Sequence, residues 1–184
     1  MPFFKSTLSE KDLLAGCIRN ERRKQELLYK QYCQSMLALC ITYTKSEQDA
    51  LEILQDGFLK IFQKINTYDA SKSSLYTWMR TVMIRTAIDF LRKQKKEIQT
   101  IEIIEENEPL TDGGHFDKIM SGELINYLQQ LPEVTRTVFN LFVSEGYSHK
   151  EIGAFLNISE GTSRWHLSEA RKFCSDHLKK KLIA

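Results

Sequence analysis

The stretch GYSHKEIGAFLNISEGTSRWHLSEARKF, residues 146–173, contains the start signals of two short helices. Ser148 and Glu151 have the spacing of a capping box, which predicts a helix start at that serine. Asn157 tolerates the left-handed conformation that a tight turn between helices requires. Ser159 then favours the start of a second helix. The stretch therefore predicts two helices joined by a short turn.

The second of these helices has an inward side and an outward side. Spacings of four, three and four residues define the inward side, which comprises Ser163, Leu167, Ala170 and Cys174. The outward side presents hydrogen-bond donors on Arg164, Trp165, Ser168, Arg171 and Lys172, with Thr162 and His166 at its edges. Such a face fits the major groove of duplex DNA, so we predict a helix-turn-helix with its recognition helix near residues 160–178. An ordinary helical hairpin with a solvated basic face is the alternative.

The preceding segment favours the helix-turn-helix because it supplies a helix for the pair to pack on. Pro132 stands at the predicted first position of that helix. Its apolar residues are Val134, Val138, Phe139, Leu141 and Phe142. A further short helix beginning near Ser121 would complete a four-helix unit.

Composition indicates that the whole chain is helical. The 184 residues include only eight glycines and three prolines, and no series of alternating segments predicts a sheet. The fold class is therefore predicted to be all-α. The longest apolar runs are too short to span a bilayer and the N-terminus has no signal-peptide core, so we expect a cytoplasmic protein without direct membrane insertion.

Charge divides the chain into two parts. Between Lys72 and Lys96 there are seven basic residues against one acid, whereas residues 97–119 contain seven acids against one base. The acidic segment also contains turn residues and lacks a face to bury, which is typical of a linker. We therefore predict two small helical domains, at residues 1–96 and 120–184, joined by a flexible acidic linker at residues 97–119.

The N-terminal half contains a strongly amphipathic segment, SEQDALEILQDGFLKIFQKI, at residues 46–65. A capping serine precedes it, and Leu51, Leu54, Phe58, Ile61, Phe62 and Ile65 share one broad face. Phe58 and Phe62 are expected to lie largely in the core. Gln55 and Asp56 point away from that face, where a solvated surface is the simplest interpretation.

A polar loop and a basic helix follow, NTYDASKSS and SLYTWMRTVMIRTAIDFLRKQKK. Tyr68 and Tyr76 offer ring faces on which bases stack, and the arginines and lysines can follow a phosphate chain. Trp78 fits the core better than the surface. These residues predict a surface that holds single-stranded DNA.

Three motifs together resemble the extracytoplasmic-function (ECF) sigma factors, the smallest members of the sigma-70 class of bacterial RNA polymerase factors. LQDGFLKIFQKI resembles the family's core-polymerase-binding helix, and SLYTWMRTVMIRTAIDFLRKQKK resembles its helix for promoter melting and −10 recognition. LPEVTRTVFNLFVSEGYSHKEIGAFLNISEGTSRWHLSEARK resembles its −35-binding domain. Departures include Ser163, which stands where the family has a buried valine.

The resemblance implies a role for each set of residues. Core polymerase binding is implied for Leu54, Gln55, Asp56, Phe58 and Phe62. Contact with −10 and single-stranded DNA is implied for Asn66, Tyr68, Lys72, Ser73, Tyr76, Arg80, Arg85, Arg92 and Lys93. Contact with the −35 duplex is implied for Thr162, Arg164, Trp165, His166, Ser168, Arg171 and Lys172. The implied partners are the RNA polymerase core, promoter DNA and an anti-sigma factor.

Two rival functions are considered. A stand-alone helix-turn-helix regulator would bind duplex DNA without polymerase, but it gives no use to the polymerase-binding helix or the basic single-strand surface. An enzyme would need a catalytic group, such as Cys174 or one of the four histidines, and no metal-ligand spacing, phosphate loop or nucleophile elbow supports one. We therefore expect no catalytic residues, no metal and no cofactor.

Overall fold

The computed structural model describes the backbone of residues 9–97 and 127–183 and the side chains of residues 9–94 and 127–176. Within these ranges all regular elements are helical, which confirms the all-α prediction. The helices are α1 Glu10–Ile18, α2 Arg22–Tyr43, α3 Glu47–Lys64, α4 Leu75–Glu97, α5 Glu133–Phe139, α6 His149–Leu156 and α7 Glu160–Ile183. A 3₁₀ turn, Ile65–Thr67, follows α3, and a π-helical segment, Asn140–Ser144, continues α5.

Two sequence predictions fall on residues that the structure does not describe. The acidic linker lies there beyond Glu97, and so does the helix start expected near Ser121. Of the helices in the described ranges, none is both long enough and apolar enough to cross a membrane.

Contacts between Cα atoms divide the chain into two compact units. Of the described residues, the first unit takes in 9–40 and 47–87, and the second takes in 41–46, 88–97 and 127–183. The second unit thus includes the last turn of α2 and the last part of α4 in addition to α5, α6 and α7. The predicted domain boundaries at residues 96 and 120 stay a prediction.

The first unit has an apolar core. Its buried side chains come from one side of each helix and include Leu28, Met36, Leu39, Ile53, Ile61, Met79 and Met83. Gly57 allows α3 and α4 to approach closely, since a Cβ atom there would lie 2.2 Å from Sδ of Met83. Burial of these aliphatic side chains supplies most of the driving force for folding of this unit.

The second unit is built around α5 and its π-helical continuation. The helix begins at Glu133 with Pro132 as its N-cap, so the prediction that Pro132 is the first helical residue is wrong by one position. Val138, Phe139 and Leu141 are buried as predicted, whereas Val134 and Phe142 are only half-buried. The core also contains many polar side chains, namely those of Thr135, Arg136, Thr137, Asn140, Ser163 and His166.

Arg136 is the largest of these buried polar residues, with 1% of its surface exposed. Its guanidinium donates from Nη2 to the carbonyl oxygen of Tyr43 at 3.0 Å and from Nη1 to that of Gln129 at 3.2 Å. Asn140 donates to the carbonyl oxygen of Thr42 at 2.7 Å. The last carbonyl groups of a helix have no hydrogen-bond partner within that helix. The side chains of Arg136 and Asn140 therefore supply the missing donors at the end of α2. Burial lowers the pKa of Arg136 below its ordinary value.

The four cysteines are free thiols. Cys17 and Cys40 are buried, and Cys33 and Cys174 are half-buried. Burial raises the pKa of Cys40 to about 12. A thiol held in its protonated form is a poor nucleophile and a poor metal ligand, which supports a packing role for this residue.

Candidate nucleic-acid interface

The helix-turn-helix begins and turns where its sequence predicts. Ser148 and Glu151 form a complete capping box, with Glu151 N donating to Ser148 Oγ at 3.3 Å and Ser148 N donating to Glu151 Oε2 at 2.9 Å. Asn157 ends α6 in the left-handed conformation, at φ 56° and ψ 47°. Ser159 Oγ accepts from Thr162 N at 2.9 Å at the start of α7. The capping chemistry of the sequence is therefore confirmed.

Gly153 makes the turn between α6 and α7 possible. A Cβ atom at this position would lie 2.8 Å from the carbonyl oxygen of Ile158. Ile158 N in turn donates to the carbonyl oxygen of Gly153 at 3.1 Å. The backbone of the turn therefore packs directly on α6, which fixes where α7 starts.

The inward face of α7 agrees with the sequence pattern. Ser163, Leu167 and Ala170 are buried, and Cys174 is half-buried. The outward face carries Arg164 and Lys172 as exposed residues and Thr162, Trp165, Ser168 and Arg171 as half-buried ones. Arg164 forms an ion pair with Glu160 one turn earlier, so part of its charge is neutralised on the helix itself.

The predicted position of His166 at the exposed edge of this face is wrong. Its side chain is only 5% exposed, and its Nδ1 shares a hydrogen bond of 2.9 Å with Oγ1 of Thr135 on α5. The ring also meets the neighbouring Trp165 edge-on, with centroids 4.9 Å apart. His166 therefore orients α7 and Trp165 and presents almost no surface of its own.

A second histidine contact was not foreseen from the sequence. His149, the first residue of α6, shares a 2.9 Å hydrogen bond between its Nδ1 and Oγ of Ser163 on α7. The imidazole stacks on Phe142, with centroids 4.5 Å apart. Burial lowers the pKa of His149, the charge of Arg164 lowers it further, and Glu160 opposes the shift. The departure of Ser163 from the family pattern could have signalled a polar partner.

Tyr68, one of the residues predicted to contact single-stranded DNA, holds the loop before α4 in its shape. The hydroxyl of Tyr68 donates to the carbonyl oxygen of Ser73 at 3.0 Å, and its ring lies 5.7 Å from that of Trp78. Asn66 and Lys72 are exposed on the loop, and Lys72 lies 3.6 Å from a carboxylate oxygen of Asp69. The loop therefore has a built shape with two polar side chains on its surface.

The structure separates the predicted helical residues of this set into two groups. Tyr76 and Arg80 lie one turn apart on α4, and Arg80 Nη1 donates to the Tyr76 hydroxyl at 3.4 Å. The ring centroid of Tyr32 lies 6.3 Å from that of Tyr76. Arg85 lies on the opposite face of α4 from Tyr76, because nine residues advance a helix by about two and a half turns, and Arg92 belongs to the second unit. Lys93 is exposed beside Arg92.

Arg92 is already engaged within the second unit. It donates to the carbonyl oxygen of Phe155 and lies 4.0 Å from a carboxylate oxygen of Asp89. The guanidinium would have to leave these partners to contact a phosphate. Within the first unit, the structure therefore brings together the loop, Tyr76 and Arg80, with Arg85 on another face of α4, whereas Arg92 and Lys93 belong to the second unit.

The predicted polymerase-binding residues of α3 are of two kinds. Leu54 and Phe58 are buried, which confirms the core position predicted for Phe58, and they hold α3 in place; their direct contact with the polymerase stays a prediction. Gln55 and Asp56 are exposed, and Phe62 is half-buried.

Two leucines that were not chosen from the sequence flank Gln55 at a spacing of four residues. Leu51 is 39% exposed and Leu59 is 59% exposed. With Gln55 they form an exposed row along α3, which we call the Leu51–Leu59 row. The sequence pattern places Leu51 on the apolar face but does not show that this edge of the face is uncovered.

The described residues contain no group of three or more His, Cys, Asp or Glu side chains that could hold a metal ion.

The fold and these surfaces define a helical protein with a helix-turn-helix in its second unit and an aromatic and basic surface in its first. Comparison with known proteins then identifies the family. The Sigma-70 region 2 model matches residues 28–97 and the Sigma-70 region 4 model matches residues 121–174, together about two thirds of the chain.

Curated relatives match over nearly the whole length. The chain is 28% identical to the RNA polymerase sigma factor SigV of Bacillus subtilis over 180 residues, which cover 96% of this chain and 97% of that one. It is 26% identical to the RNA polymerase sigma-H factor of Pseudomonas aeruginosa over 175 residues, covering 89% and 90% of the two chains. Among solved structures it is similar to the sigma factor RpoE of Bartonella quintana, crystallised with the anti-sigma factor NepR, at 21% identity and a TM-score of 0.50, covering 86% and 98%.

The chain belongs to the ECF group of the sigma-70 family. It is an RNA polymerase sigma factor, and its activity is promoter-specific initiation of transcription.

Proposed function

We propose that the chain directs initiation by reading a −35 element as duplex and by holding melted −10 DNA while it is bound to the polymerase core. The observation that carries this proposal is the joint presence of two different nucleic-acid surfaces on one chain. The second unit offers a rigid helix with outward donors, and the first offers an aromatic loop next to basic side chains. Each surface suits a different state of DNA.

The −35 element is read by α7. Arg164, Ser168 and Arg171 can donate to base edges, and Lys172 can neutralise a phosphate, so the first group supplies sequence choice and the lysine supplies salt-dependent affinity. Glu160 restrains Arg164 through its ion pair until DNA competes for the guanidinium. Thr162 and Trp165 lie beside these residues and line the same face.

The −10 element is held by the loop from Asn66 to Ser73 together with Tyr76 and Arg80. A base that leaves the stack exposes its ring face, and Tyr76 is 38% exposed for such a contact. Because the loop would bind the unstacked form alone, its binding energy favours strand opening. Lys72 and Arg80 would balance the phosphate charge beside the flipped base.

The polymerase core is bound by the Leu51–Leu59 row with Asp56 and Phe62 at its sides. Exposed leucines around one glutamine offer an apolar contact with a central hydrogen-bonding group, which is a common composition of a protein interface. Tyr29 extends this surface from α2, since its ring packs at a tilt against that of Phe58, with centroids 4.6 Å apart, and the residue is 38% exposed.

An anti-sigma factor is a further proposed partner, in line with the complex in which the related Bartonella factor was crystallised. We also infer that the chain acts in the cytoplasm and carries out no covalent chemistry. The acidic linker either mimics a polyanion in a basic channel of the polymerase or serves as a plain solubilising tether, and both roles fit its charge.

The experiment is run-off transcription from a promoter library with purified core polymerase, with and without the chain, followed by sequencing of transcript starts. We expect starts that depend on the chain and share two spaced upstream elements. Leu59→Ala should reduce these starts at limiting chain concentration. Lys64→Ala, which lies on the opposite side of α3 from Gln55, is the matched control and should leave them unchanged.

Absence of chain-dependent starts, together with retardation of duplex DNA by the chain alone, would contradict the proposal. That result would favour the stand-alone helix-turn-helix regulator instead.

A further inference from the structure

Two hydrogen bonds between a histidine ring and a hydroxyl group fix α7 against its neighbours. One joins His166 to Thr135 of α5 and the other joins Ser163 to His149 of α6, each at 2.9 Å from Nδ1 to oxygen. The two residues of α7 that form these bonds, Ser163 and His166, lie three residues apart near the start of the helix. The apolar contacts of Leu167 and Ala170 follow after them.

Apolar contacts and hydrogen bonds restrain a helix in different ways. Rounded apolar side chains fix how closely two helices pack, but they tolerate small rotations because dispersion contacts have little directionality. A hydrogen bond restrains both length and angle. The two histidine pairs therefore fix the rotation of α7 about its own axis.

This rotation matters for base reading. An atom about 6 Å from a helix axis moves by about 1 Å when the helix rotates by roughly 10°. Hydrogen bonds to base edges have a donor–acceptor window of only about 0.5 Å, so such a rotation breaks them. Arg164 and Trp165 are adjacent to Ser163 and His166, and their direction follows that of the clamped residues.

We propose that His149 is a positioning residue for −35 recognition: through Ser163 it sets the rotation of α7 and so selects which bases Arg164 and Ser168 can reach. The proposal rests on the proposed function of α7. His149 suits this role because its ring is held in place by stacking on Phe142. The guanidinium carbon of Arg171 lies over the same Phe142 ring, 5.8 Å from its centroid. A held ring transmits its position to the serine.

The test uses the full chain with core polymerase on a library that randomises the −35 element in front of one fixed −10 element. His149→Phe keeps an aromatic ring to stack on Phe142 and removes the hydrogen bond. Ser163→Ala removes the same bond from the other side without adding volume. His149→Asn keeps a polar atom near the position of Nδ1 and removes the ring, which makes it the matched control.

We expect H149F and S163A to reduce discrimination between the best −35 sequence and its single-base variants by about fivefold or more, the effect of losing the geometry of one base contact. The double variant should lose no more than either single variant, because both remove one bond. H149N should keep more of the wild-type preferences than H149F, because it can restore the hydrogen bond to Ser163 but lacks the stacked ring. In a Trp78→Phe background, fluorescence of Trp165 checks that the second unit of each variant is folded.

Folded H149F and S163A with wild-type −35 preferences would overturn the inference, and so would an H149N variant that loses discrimination as H149F does. Failure of the proposed function has a different signature. In that case the wild-type chain itself produces no −35-dependent starts on the library.

Discussion

The two units differ in how many polar side chains their cores contain. In the first unit, the buried side chains of α3 and α4 are almost all aliphatic, and Met83 fills the space that Gly57 leaves. In the second unit, α5 buries Thr135, Arg136 and Thr137, and its π-helical continuation buries Asn140 after two apolar residues. An apolar core stabilises many similar packings, whereas hydrogen-bonded polar groups are satisfied in few. The unit that we propose reads duplex bases is thus the one whose core contains the directional hydrogen bonds.

The tryptophans make this comparison measurable. Of the two in the chain, Trp78 lies in the first unit and Trp165 in the second. In a Trp78→Phe background fluorescence reports unfolding of the second unit, and in a Trp165→Phe background it reports the first. Each of the following predictions uses the tryptophan of the unit that is changed.

The largest loss of stability is expected for Arg136→Met. The substitution leaves the carbonyl oxygens of Tyr43 and Gln129 without their donor, so the free energy of unfolding should fall by about 3 kcal/mol. The matched change in the first unit, Met83→Leu, conserves volume and should cost less than about 1.5 kcal/mol. Urea unfolding measures both. Equal losses, or a gain for R136M, would mean that the polar core does not stabilise the second unit.

The next largest effect is expected at Gly153 and Gly57, two glycines at which an added Cβ atom would lie within 3 Å of a neighbouring atom. Gly153→Ala places a Cβ atom 2.8 Å from a backbone oxygen of the turn, which cannot move without shifting α7. We expect a loss of about 2 kcal/mol. Gly57→Ala instead meets the end of the Met83 side chain, which can change rotamer, and the gain in helix propensity of about 1 kcal/mol offsets much of the strain. A larger loss for G57A than for G153A would reverse the comparison.

Helix caps should not distinguish the two units. Ser148 Oγ accepts from Glu151 N at 3.3 Å, and Ser74 Oγ accepts from Thr77 N at 3.2 Å at the start of α4. Alanine at either position should lower the unfolding free energy by about 1 kcal/mol. Thermal unfolding of S148A and S74A measures the pair. A difference above about 1 kcal/mol between them would show that the units also differ in their local helix signals.

The smallest expected effect is the pH dependence of the second unit. The pKa of His149 is lower in the folded chain than in the unfolded one, because the ring is partly buried and faces Arg164 and Arg171 with only Glu160 opposing. As pH falls through about 6.5, the unfolded chain therefore takes up a proton first and stability decreases. His149→Phe should reduce this decrease. Unfolding curves of the two proteins between pH 8 and pH 5 that remain parallel would contradict it.

The sequence predicts those features that depend on near neighbours. Ser148, Asn157 and Ser159 act within three or four residues of themselves, so their roles as caps and turn follow from spacing alone. His166 shows the limit of this reasoning. His166 lies at the edge of the inward face of α7, so the sequence pattern is compatible with a buried or an exposed side chain. Its hydrogen bond to Thr135, thirty-one residues earlier, decides that it is buried.

Helix α3, which we propose binds the polymerase, shows the same limit. The apolar face of α3 is broad, and periodicity shows which residues share it but not which edge other helices cover. The structure buries Leu54 and Phe58 and leaves Leu51 and Leu59 exposed. The role of Arg136 does not follow from the sequence for a related reason, because one of the two carbonyl oxygens that it satisfies, that of Tyr43, belongs to the end of a distant helix.

The central claim is that the chain opens promoter DNA together with the polymerase. Permanganate footprinting tests it directly, because permanganate oxidises unpaired thymines at a promoter recovered from the run-off library. The account predicts reactive thymines in the −10 element when core polymerase and the chain are both present, and loss of that reactivity with Tyr76→Ala. Protection of the −35 duplex without any reactive thymine would contradict it.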